Sequence, residues 1–232
     1  MTTETKQAVL LDMGNTLVEY WPGCEWTAVL AEAIDACKAH LLADGWPNIA
    51  ADEIARRVEL QRHIRQGLEV APLQRRLAAI FELQDAAATA LCEVFMGPIF
   101  ARGRVYEDAF EILDHLRARG VRTAILSNSP WGSPAALWRA EMRRLGLAEK
   151  VDLCVFCGDV GWRKPDRRAF EYVLDRLGLD PGDCLFVGDD PRWDIVGPEQ
   201  IGMDAVLIDR TGRTEGAITS LRDLLDRPDL PV

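Results

Sequence analysis

The residues best suited to chemistry in this sequence follow short apolar runs. Asp12 comes directly after the run at 8–11, and the stretch from Met13 to Thr16 that follows is typical of a tight turn. A carboxylate held at such a point can act as a nucleophile. Other polar residues follow later apolar runs, or begin the helix after one: Ser127, Asn128, Lys164, Asp189 and Asp190.

Lys164 stands out among the basic residues. It is one of four lysines in a total of 27 lysines and arginines. Its compact ammonium group, next to Pro165, suits a phosphate or carboxylate oxygen. Taken one at a time, Lys164, Ser127 and Asp189 are also compatible with ordinary surface or turn positions, so their significance depends on whether the fold brings them together.

Strands and helices alternate along most of the chain. Helical periodicity covers Glu107–Arg119, Ala135–Leu145 and Arg167–Leu177, each ending at a glycine, and a shorter helix is expected before Gly202. The apolar runs predicted as strands are Val9–Leu11, Thr123–Leu126, Leu153–Phe156, Leu185–Val187 and Ala205–Ile208. The alternation predicts an α/β fold with a parallel sheet covered by helices on both faces. The functional crevice of such a sheet lies outside the carboxyl ends of its strands, so the polar residues should meet at one edge.

The long connection between the first two strands lacks strand character. Its helical patterns are WTAVLAEAIDACKAHLL, ADEIARRVELQRHIRQ and DAAATALCEVF, separated by Pro- and Gly-containing stretches. We predict a catalytic core at 1–18 and 100–232 and a small all-helical cap at 19–99. An insertion far longer than a crossover needs is interpreted as a lid over the strand ends, with a purely stabilising subdomain as the alternative.

Composition excludes several classes of function. The 232 residues are 48% hydrophobic and 28% charged, which is enough apolar material for one core and a smaller accessory domain. A formal net charge of −10 argues against binding along a nucleic-acid backbone. No apolar run is long enough to span a membrane, and the first residues do not resemble a signal peptide. We expect a cytoplasmic monomer or homodimer that acts on a small molecule.

The cysteines and histidines give weaker signals. The six cysteines are scattered through the sequence, and we expect no disulfides. Cys154 and Cys157 have the spacing of a metal or redox motif, but they lie in an apolar segment without a second cysteine pair. We interpret them as ordinary strand cysteines. His40, His63 and His115 are isolated on helical patterns and are predicted at the surface or its boundary.

Four stretches of the sequence carry a family resemblance. LLDMGNTL, AILSNS, WRKPDRRAF and LFVGDDPRWDIVGPEQIGM resemble, in order, the four motifs of the haloacid dehalogenase-like (HAD) hydrolase superfamily, with a helical cap between the first and second. The resemblance implies a Rossmann-like core and an aspartyl intermediate formed on Asp12. It also implies that Ser127 and Lys164 hold the transferring group, and that Asp189 and Asp194 lie at a Mg²⁺ site.

The chemistry of these residues agrees with a phosphoryl substrate. Two anions repel each other, so a carboxylate nucleophile needs Mg²⁺ and Lys164 to screen its approach to phosphate. Mg²⁺ prefers hard oxygen ligands, which Asp12, the main-chain carbonyl of Gly14 and Asp189 can supply, with Asp194 behind them. Asp190 either joins the metal ligands or caps the following turn, and we favour the cap. The residues predicted to contact the phosphoryl group are Gly14, Asn15, Ser127, Asn128 and Lys164.

The sequence departs from the family pattern at Gly14. Phosphatases of this superfamily usually carry a second aspartate there, which protonates the leaving group and then activates water. Asn15 takes a place usually held by glycine, and asparagine tolerates left-handed backbone geometry. The Gly-Asn pair is similar to a branch of the superfamily that includes sugar-phosphate phosphatases, so hydrolysis does not require the missing acid.

Three functions are compatible with this sequence. We favour a Mg²⁺-dependent phosphatase acting on a small phosphorylated metabolite. The first alternative is a metal-independent 2-haloacid dehalogenase, in which halide leaves without an acid, although the acidic GDDPRWD stretch makes little sense without a cation. The second is a non-catalytic HAD-fold binding or regulatory protein.

Tryptophans lie close to every motif. They either form an aromatic rim around the substrate or pack the cap on the core, and the sequence does not decide between the two. The residues concerned are Trp21, Trp26, Trp131, Trp162 and Trp193.

Overall fold

A computed structural model describes residues 5–20, 26–63 and 67–230 of the chain. Its main sheet consists of β1 (Ala8–Leu11), β4 (Arg122–Ser127), β5 (Leu153–Phe156), β6 (Cys184–Gly188) and β7 (Asp204–Leu207). All of these strands are parallel, in the spatial order β5-β4-β1-β6-β7. The predicted strands and the predicted α/β class are confirmed, with each strand end within one residue of its expected position.

The apolar runs are explained by burial on both faces of this sheet. Every residue of β1 is fully buried. Leu10 points into a cluster that includes Phe170 and Phe186, whereas Val9 and Leu11 belong to a second cluster on the opposite face. Both faces of a central parallel strand are covered, so its sequence is continuously apolar and does not alternate.

Helices flank the sheet where the periodicity predicts them. The predicted ones are α5 (Glu107–Ala118), α6 (Ala135–Arg144), α8 (Arg167–Leu177) and α9 (Val196–Glu199). A further helix of four residues, α7 (Cys157–Val160), was not predicted. Gly178 ends α8 with a φ of 62°, a left-handed conformation that glycine adopts without steric cost. Asp166 begins the same helix, because its side chain accepts a hydrogen bond from the main-chain N–H of Arg168.

The described part of the long segment between β1 and α5 contains four helices. They are α1 (Trp26–Ala43), α2 (Ala51–His63), α3 (Leu73–Phe81) and α4 (Asp85–Phe100). Three of them were predicted from the sequence. The exception is α3, whose nine residues follow Pro72 directly. The helices pack as neighbours, α1 on α4 and α3 on α4.

A two-stranded antiparallel sheet encloses this helical segment. It consists of β2 (Val18–Glu19) and β3 (Arg104–Val105), paired through Val18 with Val105 and Glu19 with Arg104. Neither strand was predicted, because two-residue strands carry no periodic signal. Glu19, the first residue of the predicted helical block, is therefore in a strand, and α4 continues one residue beyond the predicted boundary at 99.

The helical segment contacts the core next to Lys164. Main-chain hydrogen bonds join Val70 N–H to the carbonyl of Gly161 (2.9 Å) and Arg163 N–H to the carbonyl of Leu68 (2.8 Å). The division into cap and core stays a prediction. Within the described residues, no helix is both long enough and apolar enough to cross a membrane.

Candidate active site

The turn after β1 presents Asp12 at the carboxyl edge of the sheet. Asp12 N–H donates to the carbonyl of Val187 on β6 (2.8 Å), which fixes its main chain, and the residue is 8% exposed. Asn15 has a φ of 55°, the left-handed conformation expected for this position. Its side-chain amide donates to Asp189 Oδ2 (2.9 Å), so the turn is tied to the end of β6.

Lys164 is held directly behind Asp12. Its ammonium Nζ lies 2.6 Å from Asp12 Oδ1 and 2.7 Å from Asp194 Oδ1, and the residue is 1% exposed. Burial acts to lower the pKa of Lys164, but the charges of Asp12 and Asp194 outweigh burial and keep that pKa above its usual value. Lys164 is therefore a cation that neutralises part of the acidic charge.

Asn128 positions Lys164 through the main chain. Its Oδ1 accepts from Lys164 N–H (2.9 Å) and its Nδ2 donates to the Lys164 carbonyl (3.1 Å). The side-chain amide of Asn128 thus links the end of β4 to the residue before Pro165. The predicted contact between Asn128 and phosphate stays a prediction, and the contact observed is with Lys164.

Asp12, Asp189 and Asp194 form an acidic cluster. One carboxylate oxygen from each lies within 4.8 Å of the others. Close packing is possible because residue 188 is glycine: a Cβ there would overlap the carboxyl group of Asp194. Asp194 Oδ2 also accepts from Asp190 N–H (3.1 Å), which fixes its orientation.

Burial and neighbouring negative charge change the pKa values of two carboxyl groups in the cluster. Burial raises the pKa of Asp189 to about 7, and the negative charge of Asp12 acts in the same direction. Burial also raises the pKa of Asp194 to about 6, although Lys164 opposes this. A cation next to these two carboxyl groups would therefore favour their ionised form.

This arrangement fits a Mg²⁺ ion. The cluster offers oxygen ligands only, from three carboxylates, against the single ammonium group of Lys164. Oxygen ligands and excess negative charge favour a small divalent cation over a transition metal. Asp190 caps the following turn instead of joining the cluster, because its Oδ1 accepts from Arg192 N–H (2.9 Å) and Trp193 N–H (3.3 Å).

A pocket of about 380 Å³ opens in front of Asp12. Ser127, at the end of β4, lines it together with Asn15 and Asn128. Its described lining also includes four aromatic side chains and one basic side chain. Those residues are Tyr20, Trp26, Trp138, Trp193 and Arg163.

The tryptophans near the motifs divide between the two expected roles. Trp26 and Trp193 line the pocket. Trp131 is buried and stacks on Phe95 of α4, with ring centroids 5.9 Å apart, so it packs the helical segment on the core. Trp162 lies under the guanidinium of Arg168, 3.1 Å from Cζ to the ring centroid. Trp21 lies outside the described residues.

Tyr20, Trp138 and Arg163 line the pocket but were not predicted as site residues. Trp138 lies in the middle of α6, where a tryptophan is ordinarily interpreted as core, and it is indeed 1% exposed. Arg163 is adjacent to Lys164 in sequence, so its position in the third motif was the available signal.

The aspartates that line the pocket besides Asp12 have other roles, because Asp189 and Asp194 belong to the acidic cluster and Asp190 caps the following turn. Among the described residues that line it there is no glutamate and no histidine. Tyr20 lines the pocket, but burial raises the pKa of its phenol, which makes it a weak proton donor. A Cβ added at Gly14 would have nothing within 4 Å, so the position is open in front of the site.

The cysteines and histidines whose side chains the structure describes play no part in this cluster. Cys154 lies in β5 and Cys157 begins α7, and both are free thiols, as are Cys37, Cys92 and Cys184. His40 is exposed, and His115 is partly exposed beside Arg119. Cys24 and the side chain of His63 lie outside the described part of the chain.

The chain is similar to proteins with two kinds of activity, phosphatases and haloacid dehalogenases. The chain is 29% identical over 227 residues to the ribulose-1,5-bisphosphate 5-phosphatase of Halopiger xanaduensis, covering 95% of this chain and 92% of that protein. It is 36% identical over 107 residues to the (S)-2-haloacid dehalogenase 4A of Burkholderia cepacia, covering 46% of this chain and 44% of that protein. The chain spans about half the length of several curated relatives that it matches.

Solved structures have the same fold. The structure of the HAD phosphatase from Thermococcus onnurineus superposes with a TM-score of 0.66 at 25% identity, over 95% of this chain and 98% of that one. The family model of the haloacid dehalogenase-like hydrolases matches residues 6–202, which include the first three motifs and all but the last residue of the fourth. The sequence motifs, the parallel sheet and these matches agree, and the chain belongs to the haloacid dehalogenase-like hydrolases.

Proposed function

We propose that this hydrolase is a Mg²⁺-dependent phosphatase that acts on a small phosphorylated metabolite through an aspartyl-phosphate on Asp12. The observation that carries the proposal is the acidic cluster, in which three carboxylates share one buried ammonium group. A halide-displacing carboxylate has no need of two further acids beside it. A phosphoryl-transfer site needs a divalent cation there, because its substrate is itself an anion.

Asp12 is the group placed to attack. One of its oxygens is held by Lys164, which orients the carboxylate at the floor of the pocket. The other attacks phosphorus, the bond from phosphorus to the ester oxygen breaks, and that oxygen takes a proton from water. Water then attacks phosphorus of the acyl phosphate, which releases phosphate and restores the Asp12 carboxylate.

Mg²⁺, held by Asp12, Asp189 and the carbonyl of Gly14 with Asp194 behind them, would supply positive charge to the phosphoryl oxygens. Ser127 at the end of β4 is placed to donate to the same oxygens. Lys164 balances the charge of Asp12 and Asp194 from the opposite side. The helical segment over this edge would act as a cap that limits the access of water.

The relatives support phosphate ester chemistry. Besides the bisphosphate phosphatase, the chain resembles a phosphoglycolate phosphatase of Rhodospirillum rubrum over 87% of its length. Among the curated relatives, the matches to haloacid dehalogenases cover 46–62% of the chain, whereas a solved 2-haloacid dehalogenase structure has the same fold over 96% of it. A 2-haloacid dehalogenase remains the second candidate, and Gly14 is the observation in its favour, because halide leaves without a proton donor.

The test measures two products under two conditions. Phosphate release from a panel of phosphorylated metabolites, and halide release from 2-haloacids, are each measured with Mg²⁺ and with chelator. We expect phosphate release that requires Mg²⁺ and no halide release. Halide release in chelator would instead establish the dehalogenase, and the absence of both would favour the non-catalytic alternative.

A further inference from the structure

Arg163 is a half-buried arginine that no acidic side chain neutralises in the described structure. It lines the pocket in front of Asp12, and it is the only basic residue among the described residues that do so. Its Nε–H is buried without a hydrogen-bond acceptor. A buried donor without an acceptor costs free energy, so the arrangement favours a partner that binds in the pocket.

The other arginines make this position unusual. Every other described arginine that is not exposed donates a side-chain hydrogen bond to a carboxylate or a main-chain carbonyl. Those arginines are Arg57, Arg62, Arg76, Arg102, Arg122, Arg139, Arg210 and Arg227. Among the described arginines that are not exposed, Arg163 is thus the one for which no side-chain hydrogen bond is seen.

Arg163 is held in place by its main chain and by an aromatic ring. Its N–H donates to the carbonyl of Leu68 in the helical segment (2.8 Å), and its guanidinium carbon lies 5.5 Å from the centre of the Trp193 ring. Lys164, the next residue, is fully engaged with two aspartates. Arg163 is therefore the cation that remains available to a ligand.

We propose that Arg163 determines specificity by binding a carboxylate of the substrate. The substrate class is then a phosphate ester of a small hydroxy acid, whose phosphoryl group lies at Asp12 and whose carboxylate reaches the guanidinium. This rests on the proposed function, since it takes a phosphoryl group as the anion held at Asp12. A single guanidinium matches the one charge of a carboxylate, and its planar fork can bind both carboxylate oxygens. Nε is buried in this conformation, so the proposal requires the guanidinium to turn toward the ligand when it binds.

The test compares charged and neutral versions of one substrate. The probes are ω-phosphooxy carboxylates with two to five carbons and the matching amides, which keep the shape and lose the charge. The protein is compared with Arg163→Gln and with the control Arg192→Gln. Arg192 also lies over the Trp193 ring, at 4.6 Å, but it is exposed and does not line the pocket.

We expect kcat/KM for the carboxylate to exceed that for its amide by about tenfold to hundredfold for at least one chain length, the range of one charge-assisted hydrogen-bonded pair. Arg163→Gln should remove this preference, and Arg192→Gln should keep it. Equal rates for acid and amide at every chain length would overturn the proposal, as would a preference that survives in Arg163→Gln.

Binding separates this proposal from the proposed function. The same esters are titrated by calorimetry, with Mg²⁺, into Asp12→Asn and into the double variant that also carries Arg163→Gln. Tighter binding of the acid than the amide, lost in the double variant, supports the role of Arg163 even if the unaltered protein releases no phosphate. Binding without preference for the acid contradicts it, whatever the turnover.

Discussion

The absence of an acid at Gly14 predicts a strong dependence on the leaving group. General acid catalysis is typically worth about 10²–10⁴-fold, or about 3–5 kcal/mol of barrier. Without it, esters that release stable anions should react far faster than simple alkyl phosphates. Because no glutamate or histidine is among the described residues lining the pocket, we expect the full penalty to fall on poor leaving groups.

Gly14→Asp should restore much of this loss. A Cβ at position 14 meets nothing within 4 Å, so the new side chain fits in front of the cluster. The negative charges of Asp12 and Asp189 would raise the pKa of the new carboxyl group, which favours the protonated form that an acid needs. The kcat/KM for alkyl phosphates should then rise by up to about a hundredfold, and that for aryl phosphates should change little.

The assay is a series of phosphate esters with graded leaving-group pKa. Values of kcat/KM are measured with Mg²⁺ under conditions in which phosphoryl transfer limits the rate, for the unaltered protein, Gly14→Asp and Gly14→Asn. The asparagine variant has the same shape and cannot donate a carboxylic proton. A shallow dependence in the unaltered protein would refute the reasoning, because it would require a proton donor elsewhere.

Three further predictions concern the acidic cluster and its supports. Mg²⁺ should raise the Tm more at pH 8 than at pH 5. Because the pKa values of Asp189 and Asp194 are raised, to about 7 and about 6, the metal-free protein loses stability as the pH rises toward 7 and these groups ionise. A bound cation offsets this loss by stabilising the ionised carboxylates. A Mg²⁺-induced shift in Tm that is the same at both pH values, measured by thermal unfolding, would contradict this. Gly188→Ala should lower the free energy of unfolding by about 1–3 kcal/mol in denaturant titrations, because the added methyl group overlaps Asp194. Asn128→Ala should reduce kcat more than it raises KM, because Lys164 loses two main-chain hydrogen bonds, and an unchanged kcat would remove its positioning role.

The sequence predicted the parts of the fold that have periodic signals. The β1 run is buried on both faces, and the Arg167–Leu177 helix has a capping aspartate at one end and a left-handed glycine at the other, so both were predicted almost to the residue. β2 and β3 were missed, because a two-residue strand is specified by its partner and not by its own pattern.

The candidate site was predictable to a similar extent. Asp12 and Asp189 follow strand ends, and parallel topology brings such ends together, so their closeness could be expected. The place of Asp194 beside them was expected only from the family resemblance. The pairing of Lys164 with Asp194, and the binding of its main chain by Asn128, depend on tertiary distances that sequence spacing does not contain. The same holds for Trp138, whose helical position is equally typical of a core residue.

The aspartyl-phosphate on Asp12 is tested most directly by following oxygen from labelled water through a single turnover. Excess enzyme with Mg²⁺ is mixed with a phosphate ester in isotopically labelled water, and the phosphate and the peptide containing Asp12 are both analysed by mass spectrometry, with an early acid quench to trap the intermediate. The account predicts a phosphoryl group on Asp12 at early times, and labelled oxygen in the released phosphate but not in Asp12, because water attacks phosphorus. Phosphate release without a phosphorylated Asp12, or label entering the Asp12 carboxylate as ester hydrolysis at carbon requires, would contradict it.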